Sequence, residues 1–141
     1  MKIGFTGSRT LELYQEKAII KTLERLVPEM TYAITGACIG VDTFIAEWLA
    51  ENSDVQQVIV WPPLRNLTTE SLYALPRTVH IEMSVSDVPK GAHKLGYKLR
   101  NQQIVDLSDR LVAFWDGKSK GTKMTIDLAK SADILGEVVR I

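Results

Sequence analysis

Short apolar runs alternate with stretches of helical spacing along the whole chain. Residues 2–6 form a compact apolar run that stops at Gly7. Over 12–27, Ile19, Leu23, Leu26 and Val27 recur at helical spacing until Pro28 ends the pattern. A second strand is predicted over 31–35. Val41, Phe44, Ile45, Trp48 and Leu49 then fall at i, i+3, i+4, i+7 and i+8, which predicts an amphipathic helix. Residues 55–61 are rich in β-branched side chains and end at Pro62-Pro63, predicting a third strand. Residues 64–77 fit either a loop or a short helix opening around Thr68-Thr69-Glu70 and closing before Pro76. A fourth strand is expected over 78–83, followed by a loop around Pro89-Lys90-Gly91 and a helix over about 93–108. A fifth strand over 110–115, a helix over about 122–132 and a last strand over 137–141 complete the pattern.

Strands separated by helices imply an α/β fold with a parallel sheet and helices on both faces. Right-handed crossovers bring most strand C-termini to one edge, where open sheets of this kind hold their ligands. Three polar turns fall at that edge: Gly4-Phe5-Thr6-Gly7-Ser8-Arg9, Thr35-Gly36-Ala37-Cys38-Ile39-Gly40-Val41-Asp42 and Ser119-Lys120-Gly121-Thr122. A glycine-rich strand-to-helix turn offers bare backbone N–H groups and the positive end of a helix dipole, which suits phosphate. Three together predict a nucleotide-sized ligand.

Each turn has a functional and a structural reading. Gly7, Ser8 and Arg9 supply a tight turn, a hydroxyl and a bidentate donor for phosphate, while Ser8 or Thr10 also suits a plain helix cap. Gly36 and Ala37 permit close approach. Asp42 either accepts from ribose hydroxyls or only complements a helix dipole. Arg100 is a candidate anion contact, and Asn101 puts an amide on an otherwise apolar helix face, satisfied by the protein or by a ligand. Ser119, Gly121 and Thr122, flanked by Lys118, Lys120 and Lys123, form the strongest phosphate cradle, although the spacing is not a Walker A motif.

Composition narrows the classes. A chain of 141 residues is expected to form one domain over 1–141, with 45% hydrophobic residues to fill its core. Seventeen basic and seventeen acidic residues balance, which argues against a nucleic-acid partner. The balance is not uniform: residues 1–60 carry five basic and eight acidic side chains, residues 85–141 ten and seven. Cys38 is the only cysteine and reads as a packing residue. His80 and His93 lack metal-ligand spacing, so no metal is expected. No apolar run reaches the roughly 18 residues of a membrane span, and a strand begins at the first methionine. A cytoplasmic protein without a membrane partner is the expectation.

The ordered set resembles the SLOG superfamily, Rossmann-like domains related to the Lonely Guy phosphoribohydrolases and DNA-processing protein A. The matching residues are Thr6-Gly7-Ser8-Arg9, Gly36-Ala37 through Gly40-Val41-Asp42, Ala46, Trp48, Arg100-Asn101, Asp109, and Asp116-Gly117 through Ser119, Gly121 and Thr122. The resemblance implies a Rossmann-like three-layer sandwich, a mostly parallel sheet of five or six strands. It also implies a nucleotide-derived ligand with the Gly-Thr turn on its phosphate, and a homo-oligomer. Lonely Guy enzymes carry a Pro-Gly-Gly-x-Gly-Thr-x-x-Glu motif. Here Lys118-Ser119-Lys120 replaces its start and Thr125 stands in place of the glutamate. A hydroxyl lacks a carboxylate's charge and basicity at neutral pH. The expectation is therefore binding or sensing of a nucleotide-like molecule, with no certain cofactor. The alternative is an N-glycosidase or deoxyribosyltransferase-like enzyme relying on Asp116 or Asp42. A DNA-processing role is the least expected.

Overall fold

The computed structural model describes residues 1–84, 86 and 88–141, and the side chain of His93 lies outside the described set. In chain order the elements are β1 (Lys2–Gly7), α1 (Leu13–Leu26), β2 (Tyr32–Gly36), α2 (Val41–Asn52), β3 (Gln56–Trp61), β4 (Thr78–Glu82), α3 (His93–Leu107), β5 (Arg110–Trp115), α4 (Lys120–Ser131) and β6 (Leu135–Arg140). Short 3-10 turns cover Val27–Glu29 and Glu70–Ala74. Among the described residues, six strands pair in one sheet, all parallel, in the order β4-β3-β2-β1-β5-β6.

Alternation along the strands sorts the core into layers. Ile3 and Phe5 of β1, with Val112 and Phe114 of β5, pack under Ile19 and Leu23 of α1 and Ile45 and Leu49 of α2. Ile34, Val60 and Leu111 face the other side, against Ile104 and Val105 of α3 and Ala129 of α4. The sheet is therefore covered on both faces, the three-layer α/β arrangement that the pattern predicts. Among the described residues no helix is long and apolar enough to cross a membrane.

Differences from the sequence reading have local causes. Helix α1 opens on Glu12, whose N–H donates to the Gln15 side chain at 2.8 Å, so neither Ser8 nor Thr10 is its cap. Residues 64–77 are mostly loop with one 3-10 turn from Glu70; Thr68 instead forms an isolated bridge with Cys38. Helix α4 begins at Lys120, because Ser119 caps it. Strand β6 begins at Leu135, directly after Asp133 turns the chain at φ 58°.

The chain runs outward from β1 to β4, then returns through α3 to place β5 on the other side of β1. Strand order thus reverses between β1 and β5, and a crevice opens at their C-terminal ends. The loops above it are locked at Gly40, which starts α2 at φ 90°; a Cβ there would collide with the Arg9 carbonyl. The Val41 N–H donates to the Ser8 carbonyl at 3.0 Å across the same contact. Gly40→Ala is expected to cost about 1–3 kcal/mol of stability, read as a lower midpoint in urea unfolding.

Candidate functional site

A cavity of about 680 Å³ occupies the crevice between the ends of β1 and β5. Phe5, Ile104 and Met124 supply apolar surface, and residues of the first and third turns, Cys38 and Asp42 from the second, and Lys94, Tyr97, Arg100 and Asn101 of α3 line the rest. Three polar turns thus converge on one space, but they do not present it with the same groups.

The first turn is a five-residue loop between Gly7 and α1, so the α1 N-terminus is not at Gly7. Buried Ser8 donates its hydroxyl to the Thr10 carbonyl at 2.7 Å. Exposed Arg9 lies over the Tyr97 ring, 4.9 Å from its centroid. Gly7 permits Val41 to pack directly on the end of β1. Gly7, Ser8 and Thr10 line the cavity too, and the guanidinium is the charge this turn brings to it.

The second turn uses its amides internally. The Cys38 N–H donates to Asp42 Oδ2 at 3.3 Å, Ile39 to the Leu67 carbonyl at 2.9 Å, and Val41 to Ser8. Ala37 is fully buried. Gly36 has no side chain where the Arg100 guanidinium and the Asp42 carboxylate both pass over the backbone. Buried Arg100 donates from Nε to Asn101 Oδ1 at 2.9 Å and, at 3.4 Å each, to the Val60 carbonyl and Cys38 Sγ. Asn101 donates in turn to Met124 Sδ at 3.9 Å, so its amide partners are side chains of the protein. Burial pushes the Asp42 carboxyl up to about 7, against the pull of Arg100, the Cys38 amide and Arg9.

The third turn keeps donors open. Asp116 Oδ1 accepts from the Lys118 and Ser119 amides at 2.8 Å each, which shapes the loop and holds the Asp116 carboxyl below its ordinary range. Ser119 accepts from the Thr122 N–H at 3.4 Å and pairs with its hydroxyl at 3.0 Å. The amides of Lys120 and Gly121 lie in the first helical turn and have no intrahelical acceptor. A Cβ on Gly121 would meet nothing, so that approach is clear. Thr125 is fully buried, donates to the Gly121 carbonyl at 3.1 Å, and does not line the cavity.

Side chains that the sequence reading did not single out complete the wall. Tyr97 lies under both Arg9 and Arg100, whose guanidiniums are 4.9 and 5.6 Å from its centroid. Lys94 also lines the cavity, joining Lys118 and Lys120, which the sequence placed beside the third turn. Lys94 falls within the acid-free stretch from Lys90 to Arg100, which was the available signal. Arg9, Lys94, Arg100, Lys118 and Lys120 thus face it with Asp42 and Asp116 as the carboxylates. Among the described residues no cluster of His, Cys, Asp and Glu is placed to hold a metal ion.

The fold is similar to that of DNA processing protein A from Helicobacter pylori, a protein with a described single-stranded DNA binding mode. The TM-score is 0.68 at 18% sequence identity, covering 100% of this chain and 66% of that one. At that identity the likeness is one of fold. No protein-family model matches the sequence, and no curated protein matches it. The likeness overturns the expectation set against a nucleic-acid partner, since a protein of this fold has a described single-stranded DNA binding mode. Balanced charge was the wrong quantity: a ligand feels the local field, and the cavity wall is cationic while the whole chain sums to zero.

Asp42 generates a test of this geometry. Its folded pKa of about 7 lies above the ordinary 3.8, so the native state binds the extra proton between those values. Its contribution to stability is full below about 4 and is lost as pH rises through about 7. The thermal midpoint of the protein should therefore fall relative to that of Asp42→Asn over this range, and parallel profiles would contradict the assignment.

Proposed function

We propose that residues 1–141 form one domain that binds or senses a nucleotide or nucleotide-derived molecule in the crevice between β1 and β5. The observation that carries this reading is the open first turn of α4, facing the same cavity as Arg9 and Arg100. Phosphate meets the Lys120 and Gly121 amides and the guanidiniums, while Phe5, Ile104 and Met124 offer apolar surface to a base or sugar. The resemblance to the SLOG superfamily and the single-stranded DNA binding of the similar fold support nucleotide recognition in general.

A second reading, cleavage of a base–sugar bond, is favoured by one observation. Asp42 is a buried carboxyl in the cavity wall with a pKa of about 7, suited to exchange a proton near neutrality. Asp116 is less suited, since one of its oxygens is engaged by two loop amides. Release of free base from nucleoside monophosphates, lost in Asp42→Asn while binding persists, would establish this activity.

For the binding reading, nucleoside monophosphates at a hundredfold excess over their dissociation constant should stabilise the protein by about 2.7 kcal/mol. Arg9→Ala removes a charge-assisted contact and should weaken binding about tenfold or more by calorimetric titration. A thermal midpoint unmoved by every monophosphate would sink the proposal.

A further inference from the structure

A second cavity, of about 360 Å³, adjoins the first and is lined by Arg9, Leu64, Arg65, Asn66, Leu67 and Tyr97. Arg9 and Tyr97 line both cavities, so the partition between them is this one stacked pair. The outer wall is the segment over 64–67, which is held in several ways. Leu67 accepts from the Ile39 amide at 2.9 Å, and Tyr97 Oη donates to the Leu64 carbonyl at 3.3 Å. Arg65 pairs with Glu82 at 3.1 Å and lies over the Trp61 ring at 4.7 Å.

The chemistry of this second space differs from that of the first. The Arg65 charge is already answered by Glu82 and, at 3.8 Å, by Glu70, so a second phosphate gains little there. Two leucines, the flat guanidinium and ring of Arg9 and Tyr97, and the exposed Asn66 amide suit a neutral, flat group with hydrogen-bonding edges. A nucleobase has that character, since it stacks on π surfaces and an asparagine can pair with the adenine edge. The volume lies at the low end of ligand sites, enough for a base and its sugar. Arg9 is the cation common to both spaces and stands where a linking phosphate must pass.

We propose that the ligand consists of two nucleosides bridged by phosphate. One nucleotide occupies the larger cavity, the second base occupies the smaller, and Arg9 grips the bridge. This rests on the nucleotide reading above. The same chemistry occurs in a free dinucleotide and in two successive residues of a single strand.

Calorimetric titration separates these cases with four probes: deoxyadenosine monophosphate, the 5′-phosphorylated dinucleotide of deoxyadenosine, the same dinucleotide with its second base removed, and a 5′-phosphorylated deoxyadenosine hexamer. The intact dinucleotide should bind about tenfold or more tighter than its charge-matched abasic form. Leu67→Trp, which fills the smaller cavity, and Asn66→Ala should each erase that gain and leave monophosphate affinity unchanged, with thermal midpoints reporting that both variants fold. A hexamer as tight as the dinucleotide assigns the site to strands, and a hexamer that fails to bind assigns it to free dinucleotides; either supports the inference. Equal affinity for intact and abasic dinucleotides, or a Leu67→Trp loss shared by the monophosphate, overturns it. If the monophosphate binds but the second base adds nothing, only this inference falls. If no probe binds, the nucleotide reading falls with it.

Discussion

Arg100 lies across the ends of the strands only because position 36 carries no side chain. That single vacancy lets a guanidinium from α3 reach the carbonyl of Val60, the thiol of Cys38 and the face of Tyr97 while buried beside Asp42. Burying a charge costs several kcal/mol unless geometry and hydrogen bonds answer it. Asn101 Oδ1 meets Nε at 2.9 Å, while the bonds to the Val60 carbonyl and the Cys38 sulfur are long, at 3.4 Å each. A guanidinium held this way is ready for an anion, and a carboxyl held this way keeps its proton to higher pH. The sheet ends, α2, α3 and the larger cavity meet around this one contact.

Much of the architecture was legible because it rests on periodicity. The spacing of Val41, Phe44, Ile45, Trp48 and Leu49 marked α2, which starts at Val41 and runs three residues past the last of them, and the β-branched run before Pro62 marked β3 within a residue of its bounds. Capping chemistry was harder to read. Ser8 and Thr10 have the right side chains, but the Glu12–Gln15 pair wins, so the first loop is longer and its helix dipole lies further away. Residues 64–77 were ambiguous because their conformation is set by partners distant in sequence, such as Ala37, Ile39 and Tyr97, and no local period encodes those.

The site was legible as a location more than as a set of roles. Glycines at three turns pointed to the edge where the larger cavity opens, yet which amides remain free depends on where neighbouring acceptors fall. The Leu67 carbonyl takes the Ile39 amide, and Asp116 takes two amides of the third loop, facts that only the folded chain carries. Tyr97 carries no local signal of its role, which lies in stacking under two arginines from different elements.

The pairing of β1 with β5 also has a consequence for how the chain assembles. The Lys2 amide donates to Asp109 across a separation of 107 residues, and the central strand is flanked on one side by a segment from the last third of the chain. During ribosomal synthesis β1 and β2 emerge early, but one edge of β1 stays bare until β5 follows. Such long-range parallel pairing slows folding and leaves intermediates with sticky borders. The same late segment supplies Asp116 and the loop into α4, so maturation of the scaffold and completion of the crevice are a single event.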